Sequence, residues 1–314
     1  MSLFSKLALL FGIVVGFLAL ASAVGFVLSR RVRTDAGRAT IINLNARIKA
    51  WWVMIGIFAI SFAIGPGATM VLFTLISFYT MREFVSLTPT RPADNLPLVA
   101  AFYIFLPLQY YLIWTEWYGL MSILIPVYGF VLLPCLTAVK GDVNEFLLRV
   151  ARTQWALMLT VYCISHAPAL LVLDIPGHAG EGFLLLFFLL TVGQFSDVMQ
   201  YVFGKLLGRR RVAPLISPSK TWEGLLGGGA SAVALGAAMW WITPFSPLQA
   251  AGMAAVIVAM GFFGGLVLSA IKRSMGVKDW GSMVQGHGGV LDRMDSVAFS
   301  APIFFHLTRY FFTP

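Results

Sequence analysis

The chain has 314 residues, of which 59% are hydrophobic and only 11% charged, with a mean hydropathy of +0.85. Soluble domains carry about 25% charged residues, so an aqueous globular fold is excluded and lipid is the expected solvent. The net charge of +9 would suit nucleic acid on a soluble surface, but in a membrane protein it has meaning only by position. No nucleic-acid partner is expected.

Backbone groups in hydrocarbon must be hydrogen-bonded within the protein, which leaves helices or a closed barrel. Barrel strands alternate apolar and polar residues, whereas Leu7 to Leu28 and Trp51 to Gly65 are continuously apolar. The expected fold class is therefore all-α, a polytopic integral membrane protein of about nine to ten transmembrane helices. In chain order the predicted spans are 3–28, 50–64, 67–82, 96–114, 119–138, 153–173, 182–204, 222–243, 248–270 and 295–312. Lys6, an apolar core and Ala21-Ser22-Ala23 give the first span a likeness to a cleaved signal. The run nevertheless continues to Leu28 and meets Arg30, Arg31 and Arg33, so a retained anchor is expected. Between Arg38 and Trp52 the spacing suits an amphipathic helix at the interface, with Trp51 and Trp52 at headgroup level. The second and third spans are separated only by Gly65-Pro66-Gly67, so they form either two helices or one broken, re-entrant element. Cys135 and Cys163 lie in apolar runs and read as small buried hydrophobes, with no disulfide framework or metal site.

Charge orients the array. Of the 22 Lys and Arg residues, all but Lys6, Arg82 and Arg309 fall in segments 29–49, 83–95, 139–152, 205–221 and 271–294. Such segments face the cytoplasm, which puts the N-terminus outside and makes the expected location a bacterial-type inner membrane. Residues 1–180 read as an N-terminal transmembrane array and residues 181–314 as a C-terminal catalytic region, whose polar loops lie on the cytoplasmic side.

Two of those loops hold more reactive groups than a connection needs. The first runs from Asp197 through Gly204-Lys205, Gly208, Arg209-Arg210-Arg211 and Ser217-Pro218-Ser219-Lys220-Thr221-Trp222-Glu223. An ionisable residue such as Asp197 in an apolar span is costly and so a functional candidate. Ser217 to Glu223 reads as a helix cap around Ser219, where hydroxyls and a lysine at a helix N-terminus suit phosphate. The triple arginine suits lipid headgroups at least as well as substrate. The second loop contains Ser269, Lys272-Arg273, Lys278-Asp279, then Gly286-His287-Gly288-Gly289 and Asp292-Arg293-Met294-Asp295. Asp279, Asp292 and Asp295 offer the oxygen ligands that Mg²⁺ takes together with phosphates, and Lys272, Arg273, Lys278 and Arg293 could hold those phosphates. Zinc is disfavoured by a single His without nearby Cys. No Walker A loop or Gly-x-Ser-x-Gly elbow occurs, and no internal repeat suggests a transporter. Metal-assisted chemistry on a phosphorylated substrate at the inner membrane face remains; the rival from another class is a lipid-binding or lipid-moving protein with a structural acidic loop.

Ser269-x-x-Lys272-Arg273-x4-Lys278-Asp279 followed by Gly286-His287-Gly288-Gly289-x-x-Asp292-Arg293-x-Asp295 resembles the signature of the phosphatidate cytidylyltransferase (CDP-diacylglycerol synthase) family. The block from Asp197 to Gly224 is similar to a second shared block, so the resemblance covers roughly residues 190–312. It implies CTP and phosphatidate as substrates in a membrane, CDP-diacylglycerol and pyrophosphate as products, and Mg²⁺ as cofactor, with a second cation and a homodimer left open. It further implies that Asp279, Asp292, Asp295 and Lys278 are catalytic and that Asp197, Asp279, Asp292 and Asp295 hold metal. Ser217, Ser219, Lys220, Thr221, Glu223, Lys272, Arg273, His287, Gly288, Gly289 and Arg293 would contact substrate. Gln200 and Gln285 depart from the family pattern without removing a charge, which leaves room for a paralogue acting on another lipid phosphate or for a CTP-dependent lipid kinase.

Overall fold

The computed structural model describes residues 2–31, 35–281 and 288–314. Among them are ten long helices, here α1 Leu3–Arg31, α2 Asp35–Ile64, α3 Pro66–Ser86, α4 Pro92–Trp114, α5 Tyr118–Ala138, α6 Phe146–Val172, α7 Gly182–Leu207, α8 Trp222–Ala238, α9 Pro247–Ser274 and α10 Leu291–Phe312. The first seven and α9 are long and apolar enough to cross a membrane. With 17 residues, α8 reaches about 26 Å, a little short of a hydrocarbon core of about 30 Å. The remaining helix, α10, carries Asp292, Arg293, Asp295 and Arg309. The protein is thus an all-α polytopic membrane protein; among the described residues the one small sheet is an antiparallel hairpin of β1 Arg211–Ala213 and β2 Ser217–Thr221.

The segment from Gly65 to Gly67 is a turn between two helices. Gly65 adopts φ 126°, a conformation that side-chain-bearing residues avoid, and Pro66 opens α3 without a missing donor. The chain reverses there, so the Phe58 and Phe73 rings come within 5.8 Å and Ser61 bonds Thr69 at 3.1 Å. Two expectations are corrected. The basic stretch Arg38–Trp52 is not a separate interfacial helix, because α2 continues unbroken through it from Asp35. Likewise Arg149 and Arg152 belong to α6, which starts at Phe146 and not at 153.

Ion pairs and stacking fix which helix ends share a face. Lys6 at the start of α1 pairs with Glu181 before α7 at 2.5 Å, and Arg309 near the end of α10 lies over the Tyr118 ring at 3.9 Å. At the opposite face, the buried Arg149 guanidinium pairs with Asp142 at 2.7 Å and approaches Asp94 at 3.6 Å. Each pairing joins ends that a ten-span chain places on the same side. The apolar core runs without interruption from Leu10 on α1 to Phe305 on α10.

The last four helices approach backbone to backbone through glycine. A Cβ at Gly228 on α8 would lie 2.5 Å from the Gln200 Cα on α7, and one at Gly224 would lie 2.7 Å from the Gln200 carbonyl. On α9, a Cβ at Gly264 would lie 2.7 Å from the Asp295 carbonyl of α10. In lipid, where burial between helices gives little hydrophobic gain, such close packing is what holds them together. Gly228→Leu is therefore expected to destabilise the detergent-solubilised protein by about 1–3 kcal/mol or more, read as a lowered thermal midpoint. Gly252→Leu, at a position with open space, should leave the midpoint unchanged.

Candidate active site

The site lies where α7, α9 and α10 reach the face that carries the basic connections. The N-terminal half of α7 is largely buried and Ser196 is its last buried residue, so Asp197 stands where the helix emerges from its packing. Across from it Ser296 ties two carboxylates together: its hydroxyl donates to Asp197 Oδ2 at 2.8 Å and its backbone N–H to Asp295 Oδ1 at 2.8 Å. The other oxygens, Asp197 Oδ1 and Asp295 Oδ2, accept no hydrogen bond among the described residues. Gly261 faces Ser296, leaving only 3.1 Å between an added Cβ and the serine Cβ.

Two cations face this pair. Lys220, on β2, passes its ammonium over Gly265, donates to the Phe262 carbonyl at 3.1 Å and lies 4.7 Å from that ring's centre. A Cβ at 265 would lie against the Lys220 Nζ, so a side chain there would displace the ammonium. Burial pushes the Lys220 ammonium below its ordinary value, against the pull of Asp295 and Asp197, with Lys272 adding to the fall. Arg293 has its Nε buried without a partner, while its carbonyl accepts from Gln194 Nε2 at 3.4 Å. An unspent guanidinium and two open carboxylate oxygens in one place are an arrangement that a phosphate and a cation would complete together.

A second cluster lies one helical turn away. Asp292 is buried and fully engaged: Lys272 Nζ donates to Oδ1 at 2.6 Å, and the N–H groups of Trp280 and Gly289 donate to Oδ2 at 2.8 and 2.9 Å. Gly288 has φ 81°, and a Cβ there would lie 3.4 Å from the Cβ of Asp279. Trp280 is 1% exposed and stacks on Phe84 of α3 at 5.0 Å. From the same end of α3, Glu83 accepts the N–H groups of Val290 and Leu291 at 2.9 and 2.8 Å.

The four carboxylates expected to hold metal do not gather on one point in this structure. Asp197 and Asp295 come together; Asp292 is spent on Lys272 and two amides, and Asp279 is exposed beside Gly288. Among the described residues no three His, Cys, Asp or Glu side chains converge on one point. Lys272, expected to bind phosphate, is paired with Asp292. Lys278 and Arg273 are exposed, and Arg273 Nη1 donates to the Val277 carbonyl at 3.2 Å. The cap of α8 is Thr221, whose hydroxyl accepts from Gly224 N at 3.1 Å, and not Ser219, which lies exposed on β2 beside the half-buried Ser217. Glu223 accepts from the N–H groups of Arg209 and Arg210 at 3.0 and 3.1 Å and so holds the arginine turn. His287, Gln285 and Gly286 lie outside the described residues. Sequence reasoning missed Ser296, whose position beside Asp295 was a usable signal, and Glu83, an isolated acid 207 positions before its partner Val290, for which no local signal exists.

The fold is that of an α-helical membrane protein whose apolar helices gather carboxylates, cations and glycines where α7, α9 and α10 meet. The model of the cytidylyltransferase family matches residues 45–311. The chain belongs to that family, whose members transfer a nucleotidyl group. It is 37% identical over 286 residues to the uncharacterized protein YnbB of Escherichia coli K12, covering 91% of this chain and 92% of that one. It is 36% identical over 125 residues to a phosphatidate cytidylyltransferase of Staphylococcus aureus and 36% over 144 residues to one of Brucella abortus, covering 39% and 44% of this chain. These matches span about half of the two enzymes' own lengths, 48% and 52%.

A lysine held below its usual value loses its charge at a lower pH than a solvated one. The KM for CTP is therefore expected to rise early on the alkaline side. In Lys220→Arg, which stays protonated, that rise should vanish; the same alkaline limb in both proteins would remove Lys220 from nucleotide binding.

Proposed function

We propose that this protein transfers the cytidylyl group of CTP to phosphatidate, giving CDP-diacylglycerol and pyrophosphate, at the cytoplasmic face of the membrane. The observation that carries this reading is the Asp197–Ser296–Asp295 pair, with two open oxygens beside Lys220 and the unpartnered Arg293 Nε. Two carboxylate oxygens plus substrate phosphates are the donor set that Mg²⁺ takes, so the residues fit the ion, and Asp197 and Asp295 would hold it. When bound, it supplies positive charge that neutralises the triphosphate. The chain's own groups orient and clamp: Lys220 and Arg293 are placed to bind phosphate oxygens, and Ser296 keeps both carboxylates turned to one point.

In the reaction a phosphatidate oxygen attacks the α-phosphorus of CTP, a new P–O bond forms, and the bond from the α-phosphorus to the bridging oxygen breaks, releasing pyrophosphate. No protein nucleophile is needed; the catalytic task is alignment and charge neutralisation. The basic connections on this face support a cytoplasmic location, where CTP is dissolved and the lipid phosphate lies at the surface. A second reading, transfer to a different lipid phosphate, is favoured by the departures at Gln200 and Gln285 and by near-full-length similarity to an uncharacterized relative.

Purified protein in detergent, given CTP, Mg²⁺ and phosphatidate, is expected to release pyrophosphate and form CDP-diacylglycerol. Asp295→Asn should lower the rate by about 10²- to 10³-fold with an unchanged thermal midpoint. Turnover with another lipid phosphate but not with phosphatidate would select the second reading, and no CTP turnover with any lipid phosphate would reject both.

A further inference from the structure

Helix α10 begins without a cap of its own. Its N-cap position is Val290, which has no side-chain oxygen to receive the free N–H groups of the first turn. Those donors are met from elsewhere. Gly289 N–H goes to Asp292 of the same turn, but the N–H groups of Val290 and Leu291 both go to Glu83, one to each carboxylate oxygen. Glu83 makes no salt bridge among the described residues. Its counter-charge is the positive end of α10 itself.

The fit around that carboxylate is close. A Cβ at Gly289 would lie 2.6 Å from Glu83 Oε2, and one at Gly281 would lie 3.0 Å from Oε1. Gly289 therefore makes room for an acid of the protein's own N-terminal half, and with Glu83 in place the start of α10 is closed to phosphate. The next residue of α3, Phe84, stacks on Trp280 at 5.0 Å, and the Trp280 N–H helps to hold Asp292. The end of α3 thus grips the loop on both sides of the segment between Gly281 and Gly288. Arg293 and Asp295 lie within the first turn and a half of α10, so the rotation of that turn decides whether Asp295, with Ser296 beside it, meets Asp197 and Lys220.

We infer that Glu83 is a positioning residue for the transfer reaction: a carboxylate of the N-terminal array that sets the start of α10 and, through it, the aim of Arg293 and Asp295. The inference rests on the reading of that site as the place of nucleotidyl transfer. Glu83→Gln keeps the shape but replaces one acceptor by a donor facing an N–H, so the cap cannot form with both bonds.

The test combines hydrogen exchange with kinetics on the full-length protein in detergent. In Glu83→Gln, amide exchange over residues 288–292 is expected to quicken while that of α4 to α6 is unchanged. The value of kcat for CTP-dependent pyrophosphate release should fall about 10- to 100-fold, with a higher Mg²⁺ concentration needed for half-maximal rate. Gly281→Ala, which only presses on the carboxylate, should move the same readouts in the same direction by less, and it carries the test if Glu83→Gln does not fold. Unchanged exchange over 288–292, or quickened exchange with unchanged kcat and Mg²⁺ requirement, would overturn the inference. The exchange measurement needs no substrate, so a wild-type protein inactive on phosphatidate would count against the proposed reaction and leave the Glu83 result to be judged separately.

Discussion

Two carboxylates held side by side at the edge of a lipid-embedded bundle are the constraint on which the rest of this structure depends. Asp197 and Asp295 repel one another, and low surrounding polarity makes the repulsion harder to screen. The chain manages this with a serine that donates to both, a half-buried lysine brought in on a hairpin, and an arginine whose Nε makes no hydrogen bond. The serine, the lysine and the backbone of Asp295 need space at the helix crossing. Gly261, Gly264 and Gly265 on α9 supply it, so the glycines of the packing interface and the charges of the site are one requirement seen from two sides.

The acidic residues divide the work. Asp292 and Glu83 spend all four of their oxygens on a lysine and four backbone N–H groups, which shapes the turn leading into α10. Asp197 and Asp295 each keep one oxygen open. A carboxylate saturated by internal donors is poorly suited to exchange them for a cation during turnover, whereas one with an open oxygen is ready for it. Proximity in sequence hides the distinction, since Asp292 and Asp295 lie only three positions apart on one helix.

The two halves of the chain are joined by more than a shared apolar core. Phe84 against Trp280 and Glu83 against Val290 and Leu291 bring the end of α3 into the frame of the site. For the proposed transfer, which would align two anionic substrates, rigidity of that frame matters as much as the charges, because misplacement of about 1 Å is costly.

Most of the fold was legible in sequence because bilayer thickness and hydrogen-bond satisfaction leave few choices. All ten predicted spans coincide with helices, eight of them long and apolar enough to cross a membrane. The grouping of the charged residues was legible in part: Asp197 and Lys220 stand in one sequence block and Arg293 and Asp295 in another, and the structure brings the four together. Sequence could not say which carboxylates remain open, that Thr221 and not Ser219 caps α8, or that Lys272 is spent on Asp292. Those are matters of which donor lies within about 3 Å of which acceptor, and that depends on how closely helices distant in the chain approach. Glu83 is the extreme case: the residue type is ordinary and its surroundings in sequence are silent, and only the packing of α3 against the start of α10 makes it part of the site.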